Sequence, residues 1–134
     1  MLRQAPVHCL QMHTLMEKIN LQQKFAQFSD YWNPRIIGEL NGQYVKIAKF
    51  NDAFVWHTHE QEDELFLVVQ GKLLMEFRDR TVEVGPGEIL IVPRGIEHRP
   101  QVEEETHVVM FEPKSTVNTG ALENELTRKD LEVL

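Results

Sequence analysis

A chain of 134 residues holds enough sequence for one buried core and too little for a second full one. Its formal charge of −7 repels nucleic-acid phosphates and no Lys/Arg cluster offsets it, so nucleic-acid binding is excluded as a primary role. The 42% apolar content contains no run near the ~20 residues of a bilayer span, and a lone Cys9 permits no internal disulfide, which together point to a cytoplasmic protein with no membrane segment.

Residues 1–15 show neither a clean period nor turn chemistry, and read as a poorly ordered leader. His8, Cys9 and His13 lie in it at spacings that carry no metal signal. Residues 16–34 read as a helix and connector. From Glu17 to Phe28 the apolar residues Leu21, Phe25 and Phe28 share one helical face, which predicts a short helix laid on a sheet. Asn33-Pro34 then ends any helix and starts extended chain. Phe28, Tyr31 and Trp32 are expected to be exposed, as parts of a homodimer interface.

The barrel proper is expected over 35–113. Arg35 to Leu40 and Tyr44 to Phe50 flank Asn41-Gly42, a dipeptide that closes tight hairpins. A turn at Asn51-Asp52 leads to a strand from Ala53 to His59, in which Ala53, Val55, His57 and His59 face one way and Phe54, Trp56 and Thr58 the other. The nearly continuous apolar run from Glu64 to Val69 predicts a strand covered on both faces. Further strands are expected at Lys72 to Arg78, Thr81 to Val84, Glu88 to Val92, Glu97 to Val102 and His107 to Glu112, with Glu103-Glu104-Glu105 as a solvated loop tip. The tail, 114–134, is expected to add a short helix or stay mobile. About eight or more short strands, punctuated by turns and almost without helix, define an all-β antiparallel jelly-roll barrel.

The chemistry concentrates in two places. His57 and His59, one residue apart on extended chain, present both imidazoles to one side. A carboxylate from the next strand, Glu64, and a third imidazole, His98, complete three nitrogens and one oxygen, a set suited to a divalent first-row metal: Fe, Zn, Mn or Ni. Glu62-Asp63-Glu64 could instead be a charged loop, and spacing singles out Glu64. Trp56 points away from this face, and His107 has no partner in sequence.

These residues resemble the cupins, specifically small single-domain cupins of the mannose-6-phosphate isomerase-like kind. The first cupin motif is glycine, five residues, His-x-His, three or four residues, Glu, six residues, Gly. His57, His59, Glu64 and Gly71 match it, with Asn51 in place of the leading glycine. The second motif is glycine, five residues, Pro-x-Gly, two residues, His, three residues, Asn. Gly87, Pro93, Gly95 and His98 match, with Val102 at the final position. The resemblance spans residues 44 to 112.

It implies a metal-dependent enzyme on a small organic molecule, of dioxygenase or isomerase type, or a non-catalytic ligand-binding or sensing module. By parity the wall around the ion is expected to hold Val55, Phe66 and Val68, with Met75 and Phe77, and no arginine or lysine.

Overall fold

The computed structural model describes residues 16–134, so the leader with His8, Cys9 and His13 lies outside the described residues. Among the described residues a helix, α1 (Leu21–Phe25), precedes the strands β1 (Arg35–Leu40), β2 (Gln43–Ala53), β3 (Glu64–Gln70), β4 (Leu73–Glu76), β5 (Thr81–Val84), β6 (Ile89–Val92) and β7 (Arg99–Pro113). No described helix is long and apolar enough to cross a membrane.

All strand pairs are antiparallel, in the order β1-β2-β7-β3-β6, with β4 bridging β5 to the start of β7. This is the expected jelly roll, with a sheet that does not close on itself. The long β7 carries it, pairing with β2 along Thr106–Pro113 and again at Gln101–Val102, with β3 along His107–Phe111 and with β4 at Arg99–Gln101. The two strands expected on either side of Glu103–Glu105 are therefore one. The three glutamates are exposed residues within β7 and not a loop tip.

Local chemistry explains the remaining connections. Asn41 and Gly42 take φ of 51° and 75°, the two positive values of a twist-matched hairpin turn between β1 and β2. α1 is shorter than its periodicity suggests. Asn20 caps it by accepting from the Gln23 N–H at 2.9 Å, and the helix runs only to Phe25. Its apolar face is as expected: Leu21, Phe25 and Phe28 pack on Ile37, Ile47 and Val109 from the outer side of the sheet.

Two expectations fail here for physical reasons. Phe28 and Trp32, expected to be exposed, are buried within this chain, Phe28 against Phe25 and Trp32 in the barrel core. Only Tyr31 is exposed, donating to Glu105 Oε1 at 2.7 Å. The tail is neither helical nor loose. Asn118 grips Leu126 O and the Arg128 N–H, Thr119 Oγ1 donates to Leu122 O, and Leu126 packs on the core. The chain end is fastened beside β1, where Ile36 N–H donates to Glu132 O and Leu134 N–H to Ile36 O, both at 2.9 Å.

Candidate metal centre

The segment carrying the first two histidines is not a regular strand. β2 continues to Ala53, with Asp52 at φ 61° where its register with β7 shifts, and residues 54–59 form only an isolated bridge. That bridge joins His57 to His98: His57 N–H donates to His98 O at 3.1 Å, and His98 N–H to His57 O at 3.0 Å. Alternation is lost after the irregularity at Asp52. Phe54, expected on the face opposite the histidines, is buried in the core with its ring edge-on to His57 at 5.3 Å.

Glu64 opens β3, and His98 immediately precedes β7 on a turn begun by Pro93 and Gly95. Gly95 N–H donates to His59 O at 2.8 Å, locking that turn to the His57-Thr58-His59 segment. Farther out, Asp63 accepts from the Arg94 N–H at 2.8 Å and from its guanidinium. Asp63 thus holds the loop, while its neighbour Glu64 turns inward.

His57, His59, Glu64 and His98 are all buried, and one ligand atom from each lies within 4.8 Å of the others. Two ligands at right angles around an ion at about 2.1 Å stand about 3.0 Å apart. Glu64 Oε1 is 2.9 Å from His59 Nε2 and 3.2 Å from His98 Nε2, so these donors are already at that separation. Nδ1 of His57 donates to Val55 O and Nδ1 of His98 to Ile96 O, each at 2.8 Å, which leaves Nε2 as the ligating atom of both rings, that of His98 in contact with Glu64 Oε1 at 3.2 Å. Both ring nitrogens of His59 are buried without a hydrogen-bond partner. An unsatisfied buried polar group of this kind costs about 1–3 kcal/mol, and a cation removes that cost. The donor set therefore fits a divalent ion, and with neutral imidazoles one carboxylate leaves it a net charge near +1.

Electrostatics prepare the same set. Burial, then the proximity of His98, lowers His57 to about 4, so its imidazole is neutral and able to ligate at neutral pH. Burial alone would raise Glu64, but its contacts with Glu112, His59 and His98 prevail and hold it well below the usual carboxylate range. Glu112 is driven the other way, above that range, by burial and then by the Glu64 charge.

Glu112 was not legible as a site residue. It lies on β7 with Lys46 on β2, where Lys46 pairs with Met110, so the two are diagonal neighbours on one face. Lys46 Nζ is 2.8 Å from Glu112 Oε1 in a fully buried pair. A cavity of about 30 Å³ lies against these groups, with Glu64, Glu112 and His57 as polar walls and Trp32, Phe50, Phe54 and Phe66 as aromatic ones. Trp32 takes φ 56°, unusual for a bulky residue, and stacks on Phe50 and Phe54 at 4.3 and 4.8 Å while its indole N–H donates to Asn51 O.

Of the expected wall only Phe66 lines this cavity. Val68 and Met75 lie elsewhere in the same core, and Val55 and Phe77 pack at its margin. Trp56 is half-buried and lies apart from the four donors, with the Arg78 guanidinium 3.8 Å from its ring centre. His107 is stacked on Phe25 and paired with Glu105, away from the four donors.

The family described as Cupin domain matches residues 44–113, which contain all four donors and more than half of the chain. The chain belongs to the cupins. Two solved structures resemble this cupin at the level of sequence as well as fold. A cupin-2 domain containing protein from Shewanella frigidimarina NCIMB 400 is 40% identical with a TM-score of 0.70, over 71% of this chain and 93% of that one. Protein NMB1881 from Neisseria meningitidis is 33% identical with a TM-score of 0.67, over 72% and 99%. Among curated proteins, the uncharacterized YdbB of Bacillus subtilis (strain 168) is 36% identical over 80 residues. That match spans 59% of this cupin and 65% of the length of YdbB.

Proposed function

We propose that this cupin is a metal-dependent enzyme acting on a small organic molecule, with His57, His59, Glu64 and His98 as the ligands of one divalent ion. The observation that carries the reading is the meeting of four buried donors, two of them with Nδ1 fixed by backbone carbonyls, at the wall of an aromatic cavity. A divalent ion held by these four residues would supply Lewis acidity or, as iron, oxygen chemistry of the dioxygenase type. The protein's own contribution is to orient the donors, exclude bulk water through the rings of Trp32, Phe50 and Phe54, and hold Glu64 ionised.

A non-catalytic ligand-binding or sensing module is the second reading, favoured by the narrowness of the cavity, which admits only one or two water-sized groups. Elemental analysis of protein purified anaerobically, followed by oxygen-uptake and isomerase assays on the loaded protein, separates the two. Bound iron with substrate-dependent oxygen uptake, or another divalent metal with isomerase turnover, supports the enzyme. Tight binding of a small molecule with no turnover supports the module, and failure to take up any divalent metal removes both metal-based readings.

A further inference from the structure

At about 30 Å³ the cavity beside the donors admits only one or two water-sized groups, so a small organic molecule reaches them only when a wall moves. Most of the walls are fixed. Phe50, Phe66 and Met110 stand on paired strands, and Trp32 is pinned to β2 by its backbone N–H on Lys49 O at 3.0 Å and its indole N–H on Asn51 O at 2.8 Å. Asn118, the wall residue supplied by the tail, is held differently. Its carboxamide closes a loop, with Nδ2 donating to Leu126 O at 2.9 Å and Oδ1 accepting from the Arg128 N–H at 2.8 Å. Within the loop Thr119 Oγ1 donates to Leu122 O at 2.6 Å, and the Leu126 N–H donates to Asn124 Oδ1 at 2.8 Å. Among the described residues, no hydrogen bond of residues 117–128 reaches the barrel. The segment is built as an Ω-loop, its ends joined by its own side chains. Packing alone seats it: Leu126 on the barrel core, Gly120 against the Thr58 carbonyl and Asn118 at the cavity, while residues 121–125 are exposed. The fastenings to the barrel flank it, the Lys114 N–H on Gly42 O before the loop and the bonds of Ile36 with Glu132 and Leu134 after it.

We propose that residues 117–128 are a lid over the four donors, which opens as one unit between those two fastenings and admits the ligand. Opening breaks no hydrogen bond to the barrel. It withdraws Leu126 from the core, lifts Gly120 from Thr58 and removes Asn118 from the cavity wall, and the loop's internal bonds travel with it. Leu126 is thus the latch, because its burial is what opening gives up. A lid that shuts over a reacting centre keeps bulk water out, and its opening sets the rate of entry and release. The proposal deepens the enzyme reading and rests on it for what passes the lid.

The test reads access to the buried histidines of the full-length, metal-free protein. Diethyl pyrocarbonate modifies accessible imidazoles, and peptide mass spectrometry follows His57, His59 and His98 beside His107, which lies away from the four donors and serves as the reference. In the wild type the three site histidines are expected to react far more slowly than His107. Leu126→Ala is expected to speed all three by about ten-fold or more and leave His107 unchanged, since a buried leucine truncated to alanine forfeits at least that factor. Val84→Ala is the control, a deletion in the same core cluster on β5, outside the cavity wall. It is compared with urea added to bring the proteins to equal global stability, and it is expected to leave the site histidines slow. Leu126→Val replaces the alanine variant if that does not fold. Unchanged rates in the Leu126 variant, equal acceleration in both variants, or site histidines as reactive as His107 in the wild type overturns the lid. Metal uptake by the same wild-type sample keeps the readings apart: selective acceleration without metal binding removes only the metal-dependent enzyme, and bound metal without selective acceleration removes only the lid.

Discussion

His57 and His98 are tied through their backbones as well as through their rings: each N–H donates to the other's carbonyl, at 3.1 and 3.0 Å, and the ring centres lie 4.3 Å apart. The bridge holds two metal donors in register without using either side chain. Truncating His98 to Ala should therefore remove one ligand and leave the bridge. Metal content by elemental analysis is expected to fall at least ten-fold, while far-UV circular dichroism stays that of the wild type. Retention of stoichiometric metal by His98→Ala would exclude His98 as a ligand.

The donors were legible in the sequence because local turn chemistry fixes their spacing. Gly71, Pro93 and Gly95 are short-range signals, and His57, His59, Glu64 and His98 stand at set distances from them. Glu112, Lys46 and Trp32 were not, since what brings them to the site is the pairing of β2 with β7 and the fold of the connector, both long-range. The parity argument also broke at a definite place: Asp52 at φ 61° interrupts the alternation that set Phe54 on the face opposite the histidines. The tail's fastening was not legible because side chain to backbone bonds from Asn118 and Thr119 hold it, and these leave no hydrophobic period.

Removal of the metal should expose a specific pH dependence. In the unfolded chain His57 takes up a proton below pH ~6.5, whereas in the folded metal-free protein it does so only below about 4. Its contribution to stability is thus complete above ~6.5 and is lost as pH falls toward 4, by up to roughly 3 kcal/mol. Urea unfolding of chelator-treated wild type and His57→Gln at several pH values in that window measures it. The variant is expected to lack this part of the slope, and parallel pH profiles would remove the assignment.

Lys46 and Glu112 should behave as one unit. Lys46→Met alone leaves a buried carboxyl without its partner, for which about 3–5 kcal/mol is typical. Burial and Glu64 already push Glu112 toward its neutral form, which places the expected loss at the lower end. Replacing both residues by Met and Leu removes the desolvated pair altogether and should restore stability to within about 1 kcal/mol of the wild type. Chemical denaturation of the four proteins in the cycle gives the coupling, and simple additivity of the two single losses would show that the pair is not a unit.

Gly120 connects the tail to the donors. It takes φ 63°, and a Cβ added there would run into the carbonyl oxygen of Thr58, the residue between His57 and His59. The tail can lie this close to the ligand segment only where no side chain intervenes. Beside this contact a cleft of about 250 Å³ lies between residues 58–62 and the tail, with His59 in its wall. Gly120→Ala must therefore shift either the tail or Thr58, on top of the cost of an L side chain at positive φ, and should destabilise the fold by about 1–3 kcal/mol. If Thr58 yields, His57 and His59 are displaced and metal affinity falls with stability. If the tail yields, stability falls while metal affinity is kept. Thermal unfolding of the metal-free variant, set beside a competition titration with a metal chelator, distinguishes these two responses, and a variant unchanged in both would contradict the close approach of Gly120 to Thr58.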